Sequence, residues 1–154
     1  MTAGFVALVG RPNAGKSTLL NKLVGTKLAI VSDKPQTTRN RIVGVRTRPT
    51  GQIAYLDTPG IHKPLRKLND RMMDVSRAVL REVDVVTLVI DATAPEGAGD
   101  RFVRELVATV RVPVVVALNK VDLMAKGDLL PRIAALAERK IYADIVPVSA
   151  TTGE

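Results

Sequence analysis

Apolar and polar positions follow two rhythms along this chain. Short, nearly unbroken apolar runs occur at "FVALV" (5–9), "IAYL" (53–56), "VVTLVI" (85–90), "VPVVVAL" (112–118) and "DIVPV" (144–148). Rich in Val and Ile and lacking polar interleaving, they predict strands covered on both faces, as in a parallel sheet. "RIVGVRT" (41–47) differs, because Val43, Val45 and Thr47 alternate with Arg46 and Arg48. That alternation predicts a half-exposed edge strand. Pro49, Thr50 and Gly51 predict a turn out of it, so this strand and the next form an antiparallel hairpin.

The second rhythm is helical. Leu19, Leu20, Leu23 and Val24 make a stripe closed by Gly25, a helix stop. Leu65, Leu68, Met72, Val75, Val79 and Val83 recur at steps of three and four, which predicts one long amphipathic helix. Shorter helices are expected over 100–110 and 128–139. Strands alternating with helices predict an α/β domain over residues 1–154, with helices on both faces of a six-stranded sheet. The sheet should be mostly parallel with one antiparallel edge strand.

Composition narrows this picture. Apolar residues make up 46% of 154, ample for a core and too many for a disordered chain. Cysteine is absent, which removes disulfides and thiolate metal sites and fits a reducing compartment. The start lacks the basic region of a signal peptide, and no apolar stretch reaches the roughly 20 residues of a membrane helix. A cytoplasmic location is the expectation; peripheral membrane association is not legible. The net charge of +8 is unevenly spread. Residues 1–30 hold four basic and no acidic residues, 31–81 hold eleven against four, and 82–154 hold eight against eleven. The excess lies in the first half, where it favours a phosphorylated ligand or RNA, unless it is simply a solvated face.

The candidate chemistry begins at "GRPNAGKST" (10–18), directly after a strand and opening a helix. Gly10, Gly15, Lys16 and Ser17 fit G-x-x-x-x-G-K-[ST], with Arg11, Pro12, Asn13 and Ala14 between and Thr18 after. Glycines let backbone N–H groups wrap a phosphate, and a helix N-terminus adds positive potential. Lys16 reaches the β- and γ-phosphates, and the Ser17 hydroxyl ligates Mg²⁺. The base is chosen by "NKVD" (119–122) at the end of a buried strand. Asp122 can accept hydrogen bonds from the ring N–H and exocyclic amine of guanine; adenine would leave that carboxylate unpaired. Asn119 can tie base to phosphate loop, and the stem of Lys120 can cover the purine face. Ser149, Ala150 and Thr151 follow the last strand, where the Ala150 N–H can reach the guanine oxygen.

With those motifs placed, the chain resembles the translation-factor-type GTPases, whose Ras-like P-loop fold is then implied. The resemblance makes "DTPG" (57–60) the third motif. Asp57 holds Mg²⁺ through a water, the Gly60 N–H senses the γ-phosphate, and Thr58 and Pro59 complete the turn. It makes "PQTTRNR" (35–41) the first switch, with Thr38 closing over Mg²⁺ and the γ-phosphate. Lys16, Thr38 and Gly60 are the implied catalytic set; Ser17, Thr38 and Asp57 are the implied metal set. A finer resemblance, carried by "GRPNAGKSTLLNKLVG", "PQTTRNRIVG", "YLDTPGIHKP", "NKVDL" and "VPVSATTGE", is to the Era family of bacterial GTPases. Those motifs span nearly the whole chain. Era proteins act in small-subunit ribosome assembly and continue into a KH-type RNA-binding domain. The implied ligands are GTP or GDP with Mg²⁺, and the implied partners are 16S rRNA and the small ribosomal subunit, met mainly through that further domain.

Two readings stand beside this one: a GTPase of tRNA modification, and a GTP-dependent docking module with negligible hydrolysis. The chain stops at "SATTGE", where a final helix covering the sheet would begin, so the sequence reads as the G domain of a longer protein. Many relatives place a glutamine after the third motif to orient the attacking water. Here that position is Ile61, leaving His62 and Thr58 as weak substitutes. The resemblance includes enzymes that use K⁺, held in part by an asparagine matching Asn13. Slow, electrostatically driven hydrolysis is the expectation.

Overall fold

The protein is described by a computed structural model over residues 2–11, 14–25, 42–57, 77, 78 and 80–153. Six strands form one sheet: β1 (Thr2–Val9), β2 (Ile42–Arg48), β3 (Gly51–Asp57), β4 (Val85–Asp91), β5 (Val114–Asn119) and β6 (Asp144–Pro147). Their spatial order is β2-β3-β1-β4-β5-β6. β2 and β3 pair antiparallel; every other neighbouring pair is parallel. The described helices are α1 (Lys16–Val24), α2 (Ala98–Val107) and α3 (Lys126–Ala137), with a 3-10 turn at Val121–Leu123.

The apolar runs of β4 and β5 are largely buried on both faces. "DIVPV", expected to be covered on both faces as well, instead forms the edge strand β6 and leaves Val146 40% exposed, because among the described residues no strand pairs beyond it. Successive side chains of a strand point to opposite faces. Ala7 and Val9 therefore join Leu56, Leu88 and Val116 beneath Val103 and Val107 of α2 and Leu136 of α3. Leu8, Val89 and Ala117 face the other way, toward Leu19 and Leu20 of α1. A strand buried on both sides has no polar face, which explains the missing alternation. The expected hairpin is present, turning at Pro49–Thr50. Its edge keeps Val45 48% exposed. Gly51 is required there, since a Cβ would fall 2.4 Å from the Thr2 carbonyl oxygen.

Boundaries moved where local chemistry intervened. β5 begins at Val114, not 112, because Pro113 has no N–H for the ladder; its carbonyl still accepts from Val86 at 3.0 Å. α2 begins at Ala98, ahead of the expected 100, because Asp100 reaches back to the Gly97 N–H at 3.0 Å. α3 begins at Lys126 and carries Pro131 inside it. α1 ends as expected at Gly25, whose φ of 88° suits the left-handed cap. The long helix expected from Leu65 to Val83 lies mostly outside the described residues. Residues 77, 78 and 80–82 are helical, and Leu80 and Val83 are buried. Among the described residues, no helix is long and apolar enough to cross a membrane.

Candidate functional site

The five parallel strands put their carboxyl ends on one edge of the sheet, the usual place for a ligand in such folds. Every motif residue that is described lies at that edge or in the loop, turn or first helical turn that follows it. β1 runs into Gly10, which is buried. A Cβ at Gly10 would fall 2.6 Å from the Val89 carbonyl oxygen, so the chain passes too close to β4 for any other residue. Ala14 is also buried, and its N–H donates to the Arg11 carbonyl at 3.3 Å. Gly15 caps α1 at φ 100°, with no side-chain capping hydrogen bond and no acid in the first turn. A Cβ there would fall 2.3 Å from Asn119 Nδ2. Lys16, Ser17 and Thr18 form the first turn of α1. The loop thus opens a helix N-terminus whose potential suits an anion.

Asp57 closes β3, and its backbone pairs with Leu8, two residues before Gly10. This sets the Asp57 backbone beside the phosphate loop. Oxygen donors such as the Ser17 hydroxyl and a carboxylate suit Mg²⁺, which keeps waters and takes phosphate oxygens rather than a full protein cage. Among the described residues, no group of three or more His, Cys, Asp or Glu gathers.

The base-reading motif is a hydrogen-bonded unit. Asn119, 2% exposed at the end of β5, donates from Nδ2 to the Ala14 carbonyl at 3.1 Å and accepts at Oδ1 from the Ala150 N–H at 3.0 Å. One buried amide therefore joins the phosphate loop to the segment after β6. The Ser149 hydroxyl, itself buried, donates to Asp122 Oδ1 at 2.7 Å. A carboxylate has about four acceptor positions, so Asp122 keeps capacity for two more donors. The Ala150 N–H, expected to reach a guanine oxygen, already serves Asn119; a bound base would have to share it. Thr151 is exposed beyond this unit.

Lys120 adopts the left-handed conformation at φ 68°, unusual for a residue with a Cβ. Its Nζ lies 2.9 Å from Asp91 Oδ2. The other oxygen of Asp91 accepts from the Thr93 N–H at 2.9 Å and the Thr93 hydroxyl at 2.6 Å. Burial pushes the Asp91 carboxyl upward. Hydrogen bonds from Thr93 and Lys120 and the Lys120 charge outweigh that, holding it below the usual carboxylate range. Asp91 was not among the residues expected from sequence. The signal for it was available, because it closes an apolar strand run just as Asp57 does. Arg11 pairs through Nε with Asp100 at 3.3 Å, tying the phosphate loop to α2, and no motif announces that contact.

Pro12, Asn13, Thr38, Thr58, Pro59, Gly60, Ile61 and His62 lie outside the described residues, as do the basic residues Arg39, Arg41, Lys63, Arg66, Lys67 and Arg71.

Residues 5–120 match the family described as 50S ribosome-binding GTPase. The chain is 45% identical over 150 residues to GTPase Era of Heliobacterium modesticaldum, covering 97% of this chain and 50% of that protein. It is 49% identical over 152 residues to GTPase Era of Geotalea uraniireducens, covering 99% and 51%. The chain thus spans about half the length of the curated relatives it matches. Its structure superposes with a TM-score of 0.90 and 40% identity on a crystal structure of Era in complex with MgGDPNP and nucleotides 1506–1542 of 16S ribosomal RNA, covering 99% of this chain and 53% of that one.

Proposed function

The chain belongs to the 50S ribosome-binding GTPase family, and from that premise we propose that it binds GTP with Mg²⁺ and hydrolyses it to GDP and phosphate as an Era-type switch acting on the small ribosomal subunit. The observation that carries the reading is Asn119 bridging Ala14 and Ala150 while Ser149 holds Asp122, because this joins base recognition to phosphate recognition in one unit.

Each residue then has a task. Gly10 and Gly15 let the backbone approach the phosphates, Lys16 neutralises charge on the β- and γ-phosphates, and Ser17 and Asp57 offer oxygens to the metal. Bound Mg²⁺ supplies charge neutralisation across the phosphates. Asp122 accepts the two guanine donors, and Lys120, tethered by Asp91, lies along the purine. Thr38 and Gly60 are assigned γ-phosphate sensing on motif grounds. Ile61 offers no polar group for the attacking water, so turnover should be slow and set by positioning. K⁺ assistance through Asn13 belongs to the same proposal, and matched KCl and NaCl assays test it: equal rates remove the ion.

The proposed partner follows the relatives. The superposed Era structure contains 16S rRNA, which supports an rRNA partner here. We place the chain in the cytoplasm as the G domain of a longer Era-type protein. Single-turnover hydrolysis of GTP against ATP tests the core of the reading. GTP bound but not hydrolysed would make the chain a docking module. Co-sedimentation of the full-length protein with 30S particles tests the assembly role; turnover without particle binding would instead favour tRNA modification.

A further inference from the structure

On the sheet face away from α1, a cavity of about 90 Å³ lies between β4, α2 and α3. Its floor is apolar, from Leu88, Val103 and Leu136, and its rim carries Arg11, Arg104, Arg132 and Arg139 against only Glu96 and Asp100. The acids are already committed. Glu96 is clasped by Arg104 and, at 3.0 Å, by Arg139; Asp100 pairs with Arg11. Arg132 is left over. Among the described residues, its one partner is the Ala94 carbonyl, 3.2 Å from a terminal nitrogen.

Two buried polar atoms of the lining have no hydrogen-bond partner among the described residues: Arg132 Nε and the Tyr142 hydroxyl. Buried donors are nearly always satisfied, and leaving one unmet is costly. Burial pushes the Tyr142 phenol upward against the opposing influence of Arg139 and Arg104, so it stays protonated and able to donate at neutral pH. A positive charge without a carboxylate, two unmet donors and an apolar floor together describe a receptor for an anion with a greasy body. A planar carboxylate matches a guanidinium edge, and a cavity of this size holds a handful of heavy atoms.

We propose that the cavity between α2 and α3 is a binding site for a small aliphatic carboxylate, its oxygens accepting from Arg132 and Tyr142 and its hydrocarbon on Leu88, Val103 and Leu136. The site is separate from the nucleotide-binding unit and does not depend on the function proposed above. Arg11, which lines the rim, also belongs to the phosphate loop, so an occupant here sits against the nucleotide site.

The test is titration of isovalerate, with isovaleramide as its uncharged isostere, followed by calorimetry and by methyl NMR shifts at Val103 and Leu136. Saturable binding of isovalerate, at least about tenfold tighter than the amide, is expected from a hydrogen bond to a charged group. Tyr142→Phe and Arg132→Met should each weaken isovalerate by about tenfold. Ala135→Phe, at an exposed position lining the cavity, should abolish binding by filling it while the thermal midpoint is retained. Non-saturable shifts, equal affinity for acid and amide, or wild-type binding by Ala135→Phe would each overturn the proposal. The acid-against-amide comparison needs no variant, so a misfolded mutant cannot leave the question open.

Discussion

The two ends of the nucleotide site are built by opposite means. At the phosphate end the essential property is missing side chains: Gly10 leaves no room for a Cβ beside Val89, and Gly15 none beside Asn119. At the base end the essential property is a set of side chains that hold one another, Asn119 with Ala14 and Ala150, Ser149 with Asp122, Asp91 with Lys120. The first is a steric device and fails through overpacking. The second is a polar network and fails through unmet hydrogen bonds. The ends meet where Asn119 touches both, so the comparison can be broken from either side.

The largest effect should come from the base end. Asp122→Asn replaces two acceptor oxygens with one acceptor and one donor, which suits xanthine and opposes guanine. GTP affinity should drop on the order of 10³-fold, with XTP gaining, in competition binding. An unchanged GTP-to-XTP ratio would remove Asp122 from base reading. Next, Asn119→Ala strands the buried Ala14 carbonyl and Ala150 N–H together and should cost about 3 kcal/mol in denaturant unfolding. Because it spans both ends, it should also weaken GDP, whereas a purely local role would leave GDP affinity intact.

Glycine substitutions sharpen the steric half. Gly10→Ala forces a Cβ against the Val89 backbone and should cost about 2 kcal/mol along with phosphate binding. Gly25→Ala is the control: its φ of 88° carries backbone strain, but nothing lies within 4 Å of the new Cβ. It should cost about 1 kcal/mol and spare the nucleotide. If both variants lose nucleotide equally, close packing is not what the loop requires.

The smallest effect is a pH dependence. The Asp91 carboxyl is held below its ordinary range in the folded chain, so the unfolded chain binds its proton more tightly. Its stabilisation is therefore complete above the unfolded value of about 3.9 and is lost as pH falls through the folded value. Asp91→Asn should flatten the acid limb of the thermal midpoint profile, leaving the neutral limb parallel to wild type.

Much of the fold was legible because its central strands β4 and β5 are largely buried on both faces, and continuous runs such as "VVTLVI" announce that state directly. Ends were less legible. Pro113 delayed β5 by lacking a ladder N–H, and Asp100 advanced α2 through one side-chain bond to the Gly97 N–H, details that periodicity does not register. In the site, Gly10, Gly15, Asn119 and Asp122 could be found because each has a fixed offset from a strand end. Asp91 stands at a strand end and was open to the same reading. Its pairing with Lys120, the Ser149 grip on Asp122 and the Arg11–Asp100 pair could not be found, because each joins segments 27 or more residues apart that only the sheet order brings together. Thr38 and Gly60 rest on motif alone.

The Asn119 bridge also bears on how the chain folds. Its bond to Ala14 closes a loop of 105 positions, and its bond to Ala150 one of 31. Contacts of such long sequence separation form only after loop-closure entropy has been overcome, late in the search. A nucleotide that needs this bridge should have no affinity for partly assembled chains. Its binding would draw the folding equilibrium toward the complete sheet in proportion to ligand concentration. Nucleotide in the refolding buffer should then leave the early collapse unaltered and raise the yield of the final step.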